Sequence, residues 1–164
     1  TINLRNKYCP NAKISVLSNA TFCNKPDVFE ALMLVDNNIL KLDTVCNEYI
    51  QLLDRPTLPG YDVNNVIEWI KRFNGHCIIQ TMFLKGTGTL YINGEETAVD
   101  VNNVKEEYIA PWIEAIKEIR PQQVMIYTID RETPVKWLEK ATHDELDTIC
   151  ARVNECGIAC SASY

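Results

Sequence analysis

Short apolar runs alternate with amphipathic stretches along almost the whole chain, and that alternation limits the fold more than any other feature. Cys77–Leu84 (CIIQTMFL) is nearly continuous in apolar residues, as expected of a strand covered on both faces. Lys13–Ser18 (KISVLS), Asn38–Asp43 (NILKLD), Gln123–Ile129 (QVMIYTI) and Ile158–Ser163 read as further strands. Helical spacing fills the intervals. Pro26 opens a helix that carries Val28, Ala31, Leu32 and Val35, and Cys46–Leu53 forms a shorter one stopped by the loop through Pro56, Pro59 and Gly60. Asp62 caps a helix with Val63, Val66, Ile67, Ile70 and Phe73 on one face, and Asn74-Gly75 ends it. Asn103–Ile119 is periodic through Tyr108, Trp112, Ile116 and Ile119, with a break or kink predicted near Ala110 because Pro111 lacks a backbone donor. Thr142 and Glu145 form a capping box ahead of Leu146, Ile149, Cys150 and Val153, and Gly157 stops that helix.

Strands alternating with amphipathic helices pair in parallel through right-handed crossovers. The expectation is an α/β fold with five parallel strands, as either an open doubly wound sheet or an arc of a (β/α) barrel. One segment interrupts the rhythm: Thr89–Ile92 and Glu95–Val99 flank Asn93-Gly94, a strong hairpin signal, so residues 89–99 read as a surface insertion. There is no other internal repeat, no low-complexity tract and no linker, so residues 1–164 read as one domain.

Charge and cysteine usage narrow the function classes. Lys plus Arg number 16 against 22 Asp plus Glu, a net charge of −6 that disfavours a phosphate backbone as partner. No apolar run approaches the roughly 20 residues needed to span a bilayer, and no signal peptide opens the chain, so a membrane is not an expected partner. The 7 cysteines include no Cys-x-x-Cys pair and no zinc-like Cys/His spacing, and they read as reduced, mostly apolar thiols of a cytoplasmic protein. Cys156 and Cys160 fall at a helix end and inside a strand, which is a structural placement.

In such sheets ligands bind beyond the carboxyl ends of the strands. Side chains alternate faces, so Ile39, Lys41 and Asp43 share one face while Leu40 and Leu42 share the other. With the leucines packed under helices, Lys41 and Asp43 point to the opposite face and compensate each other; the alternative is an edge strand with Lys41 in water. Gln80 suits either this site or a hydrogen-bonded core, and Ser18 and Asn19 suit either the site or a simple turn. Tyr127, Thr128, Asp130 and Arg131 bring a fourth strand's polar groups to the same end, and the convergence favours a small-molecule site. His76 and His143 lie away from that end. The Gly-containing loop Lys85–Thr89 is a weak phosphate cradle: it lacks the P-loop and dinucleotide patterns and reads better as the lead into the hairpin.

Val16-Leu17-Ser18-Asn19-Ala20-Thr21, Leu40-Lys41-Leu42-Asp43, Asp54-Arg55-Pro56, residues 79–86 (IQTMFLKG) and residues 124–131 (VMIYTIDR), in this order, resemble the radical S-adenosylmethionine (SAM) superfamily. Within it, the Fe–S oxidoreductases grouped with the wyosine tRNA-base synthases are the most similar. The resemblance implies a partial (β/α)6 barrel in which a 4Fe–4S cluster cleaves SAM to a 5′-deoxyadenosyl radical that abstracts hydrogen from substrate. It implies that Ser18, Asn19, Lys41, Asp43 and Gln80 line the SAM and substrate cavity, with Ala20 standing where the family's Ser/Thr-Asn-Gly turn has glycine. Tyr127 and Thr128 match the strand that borders the adenine.

The family's Cys-x3-Cys-x2-Cys loop and Gly-Gly-Glu-Pro motif lie on its first two strands and are not found here, and the present first strand matches the family's third. That match implies the C-terminal part of a longer enzyme that lacks the first two βα units, an expectation consistent with a chain that opens on Thr1. Such a piece is expected to be inactive alone, with no metal ligands and neither cluster nor SAM bound, and with an exposed sheet edge able to form a homodimer. A small-molecule or peptide substrate is expected over tRNA, since no Lys/Arg-rich stretch offsets the acidic balance. Two other readings stand: a complete small α/β phosphate- or nucleotide-binding enzyme, and a non-catalytic module that binds a partner through its hairpin.

Overall fold

The chain, seen in a computed structural model that describes residues 1–92 and 94–164, runs α1 (Ile2–Tyr8), β1 (Ser15–Ser18), α2 (Pro26–Met33), β2 (Asn37–Lys41), α3 (Asn47–Leu53) and α4 (Val63–Lys71). β3 (Ile78–Met82), β4 (Leu84–Lys85), β5 (Thr87–Ile92) and β6 (Glu95–Asp100) follow. α5 (Glu106–Ile119), β7 (Gln123–Tyr127), β8 (Glu139–Lys140), α6 (His143–Glu155) and β9 (Cys160–Ser163) complete it. β1, β2, β3, β7 and β9 form one sheet in that spatial order, every neighbouring pair parallel. Spatial order follows chain order without reversal. Right-handed crossovers then carry every connection over the same face. A doubly wound sheet needs a reversal of order, so the architecture is an arc of a (β/α) barrel.

Packing agrees. Leu40, Leu42, Ile79, Val124 and Ile126 point to one face and are buried against Leu32 of α2, Ile67 and Ile70 of α4, Trp112 and Ile116 of α5, and Leu146 and Ile149 of α6. Each large side chain so enclosed contributes roughly 1.5–3 kcal/mol. The opposite face carries Leu17, 65% exposed, and the half-buried Ile39, Lys41, Gln80, Met82, Met125 and Tyr127. It is concave, open and mixed in polarity.

Terminal signals explain the helix ends. The Asp62 side chain accepts from Asn64 N–H at the start of α4, and Thr142 and Glu145 close the expected capping box on α6. Asn74, Gly75 and Gly157 have positive φ, which ends helices where the sequence places the stops. α5 does not break at Pro111. It runs unbroken from Glu106 to Ile119, because the missing N–H removes one bond, to the Glu107 carbonyl, and Pro111 is exposed where water can replace it.

Three further features differ from expectation. α1 has no buried residue and no apolar periodicity that would mark it. Two-residue strands β4 and β8 pair antiparallel beyond the main sheet, too short to show a period. The hairpin forms as its own two-stranded sheet from β5 and β6, longer than expected at both ends; Asn93 of the anticipated Asn93-Gly94 turn lies outside the described residues. No helix among the described residues is long and apolar enough to cross a membrane.

Candidate functional site

Parallel register stacks the open face in rows. Lys41, Gln80, Met125 and Ser161 are successive partners across four strands, and Met82, Tyr127 and Ser163 form the next row toward the carboxyl ends. Asp43 extends the strand direction of β2 into that outer row, since Leu42 N–H still donates to Gln80 O.

The extension is held rigidly. The Leu42 carbonyl accepts from the Thr81 hydroxyl at 2.8 Å and from the Trp112 indole at 3.1 Å. Asn103, buried in the connection to α5, donates to Asp43 O at 3.3 Å and Met82 O at 2.9 Å and accepts from Leu84 N–H at 2.8 Å. These bonds tie the ends of β2 and β3 together and fix where the Asp43 side chain leaves the backbone.

Lys41 Nζ lies 2.8 Å from Asp43 Oδ2, and Asp43 Oδ1 accepts from Met82 N–H at 2.8 Å. Burial acts to raise the Asp43 carboxyl and prevails over the lowering by Lys41. For Lys41 burial acts to lower the ammonium, yet Asp43 prevails and holds it above its ordinary value. The contact sets an enclosed carboxyl against an ammonium partly in water, and each group favours the charged form of the other.

Asp54 stands beside it. Arg55 adopts φ +47 immediately before Pro56, a left-handed residue where glycine is usual at a helix end, and the chain turns sharply just after Asp54 at the end of α3. Asp54 is exposed and among the described residues its carboxyl accepts no hydrogen bond, but the surrounding protein and the Asp43 charge push that carboxyl up to about 6. Its open exposure moderates that effect. Two cavities share Asp54: a polar one of about 320 Å³ that includes Asn19, Lys41, Asp43 and Tyr61, and a more apolar one of about 510 Å³ that includes Leu53, Met82, Tyr127 and Leu138.

The residues singled out in the sequence separate on this geometry. Lys41, Asp43, Gln80 and Tyr127 share the open face, and Asn19 reaches the polar cavity. Ser18 pairs in register with Leu40 and so lies on the helix side, its hydroxyl accepting from Ala20 N–H at 3.1 Å. Ala20 has φ +59, a conformation that glycine adopts most easily, and is buried. Thr128 borders the larger cavity, with its hydroxyl engaged by Ala141 N–H at 2.8 Å.

Asp54, Asn103 and Thr81 carry the site without having been marked as site residues. Their roles arise from contacts across 19 to 60 residues of chain, apart from Asp54, whose only local signal is the Asp-Arg-Pro helix stop. The Lys85–Thr89 loop leads into the hairpin, the reading its sequence favours over a phosphate cradle. A Cβ at Gly88 would clash with the Trp137 ring and one at Gly86 would meet the Trp137 carbonyl at 2.6 Å, so these glycines make room for a tryptophan.

Among the described residues no three His, Cys, Asp or Glu side chains gather where a metal ion could be held, and a 4Fe–4S cluster does not fit them. All 7 cysteines are free, and burial pushes the Cys23 thiol up to about 11 and the Cys77 thiol to about 12. The polar cavity does fit a molecule with both an ammonium and a carboxylate, such as the methionyl end of SAM, since it presents a lysine, two aspartates and an amide together.

No protein-family model matches the sequence, and no curated protein matches it. Solved structures share the fold. A domain of pyruvate-formate lyase-activating enzyme from Bacteroides vulgatus superposes with a TM-score of 0.66 at 11% identity, covering 99% of this chain and 88% of that one. A radical SAM methyltransferase from Sphaerobacter thermophilus gives 0.66 at 12% identity, over 98% of this chain and 44% of that one. SuiB from Streptococcus suis, bound to SAM, gives 0.60 at 15% identity, over 93% of this chain and 33% of that one. The chain thus spans most of the first and less than half of the other two. Its sheet and flanking helices have the partial-barrel fold of radical SAM enzymes.

Proposed function

We propose that this chain is the C-terminal part of the catalytic barrel of a radical SAM enzyme, of the Fe–S oxidoreductase group similar to the wyosine tRNA-base synthases. In the parent protein, residues outside this chain would hold a 4Fe–4S cluster, which with SAM would supply the radical chemistry. This chain's residues bind and orient. Lys41 and Gln80 in one row, with Asp43 fixed in the next, hold the polar groups of SAM or of substrate; Asn19 reaches the same cavity, and Tyr127 with Thr128 borders the adenine. None of them is required to donate a proton. The acidic balance favours a small-molecule or peptide substrate over tRNA.

A single observation carries this reading: an ion pair with an enclosed carboxylate stands on the open face of a sequentially ordered parallel sheet, at the end of the strands where ligands bind. Such a pair costs desolvation that packing alone does not require.

The test begins with the reading frame that precedes Thr1, where a Cys-x3-Cys-x2-Cys run is expected. The full-length protein, purified without oxygen, then releases 5′-deoxyadenosine from SAM under reduction. Lys41→Met and Asp43→Asn slow that release roughly tenfold or more while the iron content is unchanged. A reading frame without the cysteine run, or variants that match the unaltered protein, overturns the proposal.

A further inference from the structure

The larger of the two cavities has its own chemistry. Leu53, Met82, Ile129 and Leu138 give it an apolar floor, and the Tyr127 ring closes it on the sheet side. None of the four is fully buried; all pack as half-exposed partners of the small cluster around Tyr49, Leu84 and Val101. Apolar surface left concave and wet is what a ligand's hydrocarbon part covers. The charged groups around it are unbalanced: Asp54, Asp130 and Glu132 face Arg131. Glu132 is taken by Lys136 at 3.4 Å. Among the described residues the Asp54 carboxyl accepts no hydrogen bond, and Lys41, whose charge acts on it, is already paired with Asp43.

We infer that this cavity binds an apolar group that bears a cationic nitrogen, an arylalkyl or alkyl amine, with its hydrocarbon on Met82, Ile129 and Leu138 and its ammonium at Asp54. An amine completes Asp54 with a charge-assisted hydrogen bond, and burial of its body removes the exposed apolar floor from water. A carboxylate ligand faces the excess of aspartate and glutamate. The reading proposed above sets the adenine against Tyr127 and Thr128 at the sheet side of this cavity; an amine on Met82, Ile129, Leu138 and Asp54 lies beside it as substrate, a role that rests on that reading, whereas the binding itself needs neither cluster nor SAM.

The experiment uses the 164-residue chain with methyl-labelled methionine, titrated at neutral pH with phenethylamine, phenethyl alcohol, hydrocinnamate and adenosine, each followed by the Met82 methyl resonance. Phenethylamine is expected to shift Met82 and to bind roughly five- to tenfold more tightly than the alcohol, with hydrocinnamate weakest. Asp54→Asn, at an exposed helix end without a hydrogen bond to lose, folds and abolishes the preference for amine over alcohol. Leu138→Ser weakens amine and alcohol alike. Equal affinity of amine and alcohol, a preference that survives Asp54→Asn, or adenosine binding more tightly than the amine at Met82 overturns the inference. Amine binding in a protein whose reading frame lacks the cysteine run removes the radical SAM proposal and leaves the amine site standing.

Discussion

Lys41 and Asp43, two residues apart, share a 2.8 Å ion pair in which the aspartate side chain is 4% exposed and the lysine side chain 35%. The asymmetry decides what each substitution does. Lys41→Met leaves an enclosed carboxylate supported only by Met82 N–H, at a cost of about 2–3 kcal/mol, below the figure for a fully enclosed pair because water reaches the lysine side. Asp43→Asn keeps an oxygen for Met82 N–H and leaves an ammonium that can turn to solvent, at about 1 kcal/mol. In the lysine variant the folded-state carboxyl rises further above its unfolded value, so the folded form binds the extra proton and stability returns as the pH falls. Urea denaturation at pH 7 and pH 5 measures both; equal losses at pH 7, or no recovery in Lys41→Met at pH 5, would contradict this asymmetry.

Asp54 sets a second pH dependence with the same sign. Its carboxyl stands at about 6 in the folded chain against about 3.9 unfolded, so between those values the folded form binds the additional proton and loses stability as the pH rises. Lys41 of β2, Asp43 just beyond it, Tyr61 from the loop before α4 and Tyr127 from β7 all act with Asp54 in this space. Asp54→Asn is expected to melt higher than the unaltered chain at pH 7, with the gap closing near pH 4. Calorimetry across that range tests it, and a variant that melts lower at pH 7 would give Asp54 a structural role instead.

The βα rhythm, the capping residues and the side on which Lys41 and Asp43 emerge were all legible in the sequence, because each depends on local period: 2 for the strand, 3.6 for the helix, and a hydroxyl or carboxylate at a fixed offset from the first turn. The alternation of Leu40, Lys41, Leu42 and Asp43 alone places the pair on the open face. The choice between barrel arc and doubly wound sheet was not legible, because it depends on strand order, which no local pattern encodes. Asn103 and Thr81 escaped for a related reason: a buried amide that joins β2 to β3 looks in sequence like any polar residue before a helix. The glycines at 86 and 88 were legible as a lead into the hairpin, but their reason was not: Trp137, some 50 residues on, fills the space beside them.

Asn103 predicts the largest loss among the polar residues. Its side chain is the partner of Leu84 N–H, Met82 O and Asp43 O, and it is 1% exposed. Asn103→Ala takes this partner from one buried donor and two carbonyl acceptors, costing about 3 kcal/mol, and loosens the backbone that aims Asp43. Asn103→Asp keeps the acceptor for Leu84 N–H but sets a carboxylate against two carbonyl oxygens, so it is expected to lose at least as much at neutral pH. Hydrogen exchange at the Leu84 amide reads the local effect: faster exchange in the alanine variant but not in the aspartate variant is the expected pattern. Unchanged exchange in both would show that another group holds the strand ends.

Gly88 tests why the loop before the hairpin is built from glycines. Its backbone φ is not positive, so a side chain there meets no conformational penalty, only the Trp137 ring. Gly88→Ala must displace that ring and is expected to cost roughly 1–3 kcal/mol, with a change in tryptophan fluorescence. Gly60→Ala is the contrasting case: nothing lies within 4 Å, but φ is +71, so the cost is about 1 kcal/mol and the fluorescence stays unchanged. In a Trp137→Ala background the ring is gone, and Gly88→Ala then costs less than about 0.5 kcal/mol, a coupling that chemical denaturation of the four variants resolves. Full additivity of the two changes would mean that Trp137 does not occupy the space beside Gly88 in solution, and would reopen the loop from Lys85 to Thr89 as a phosphate cradle.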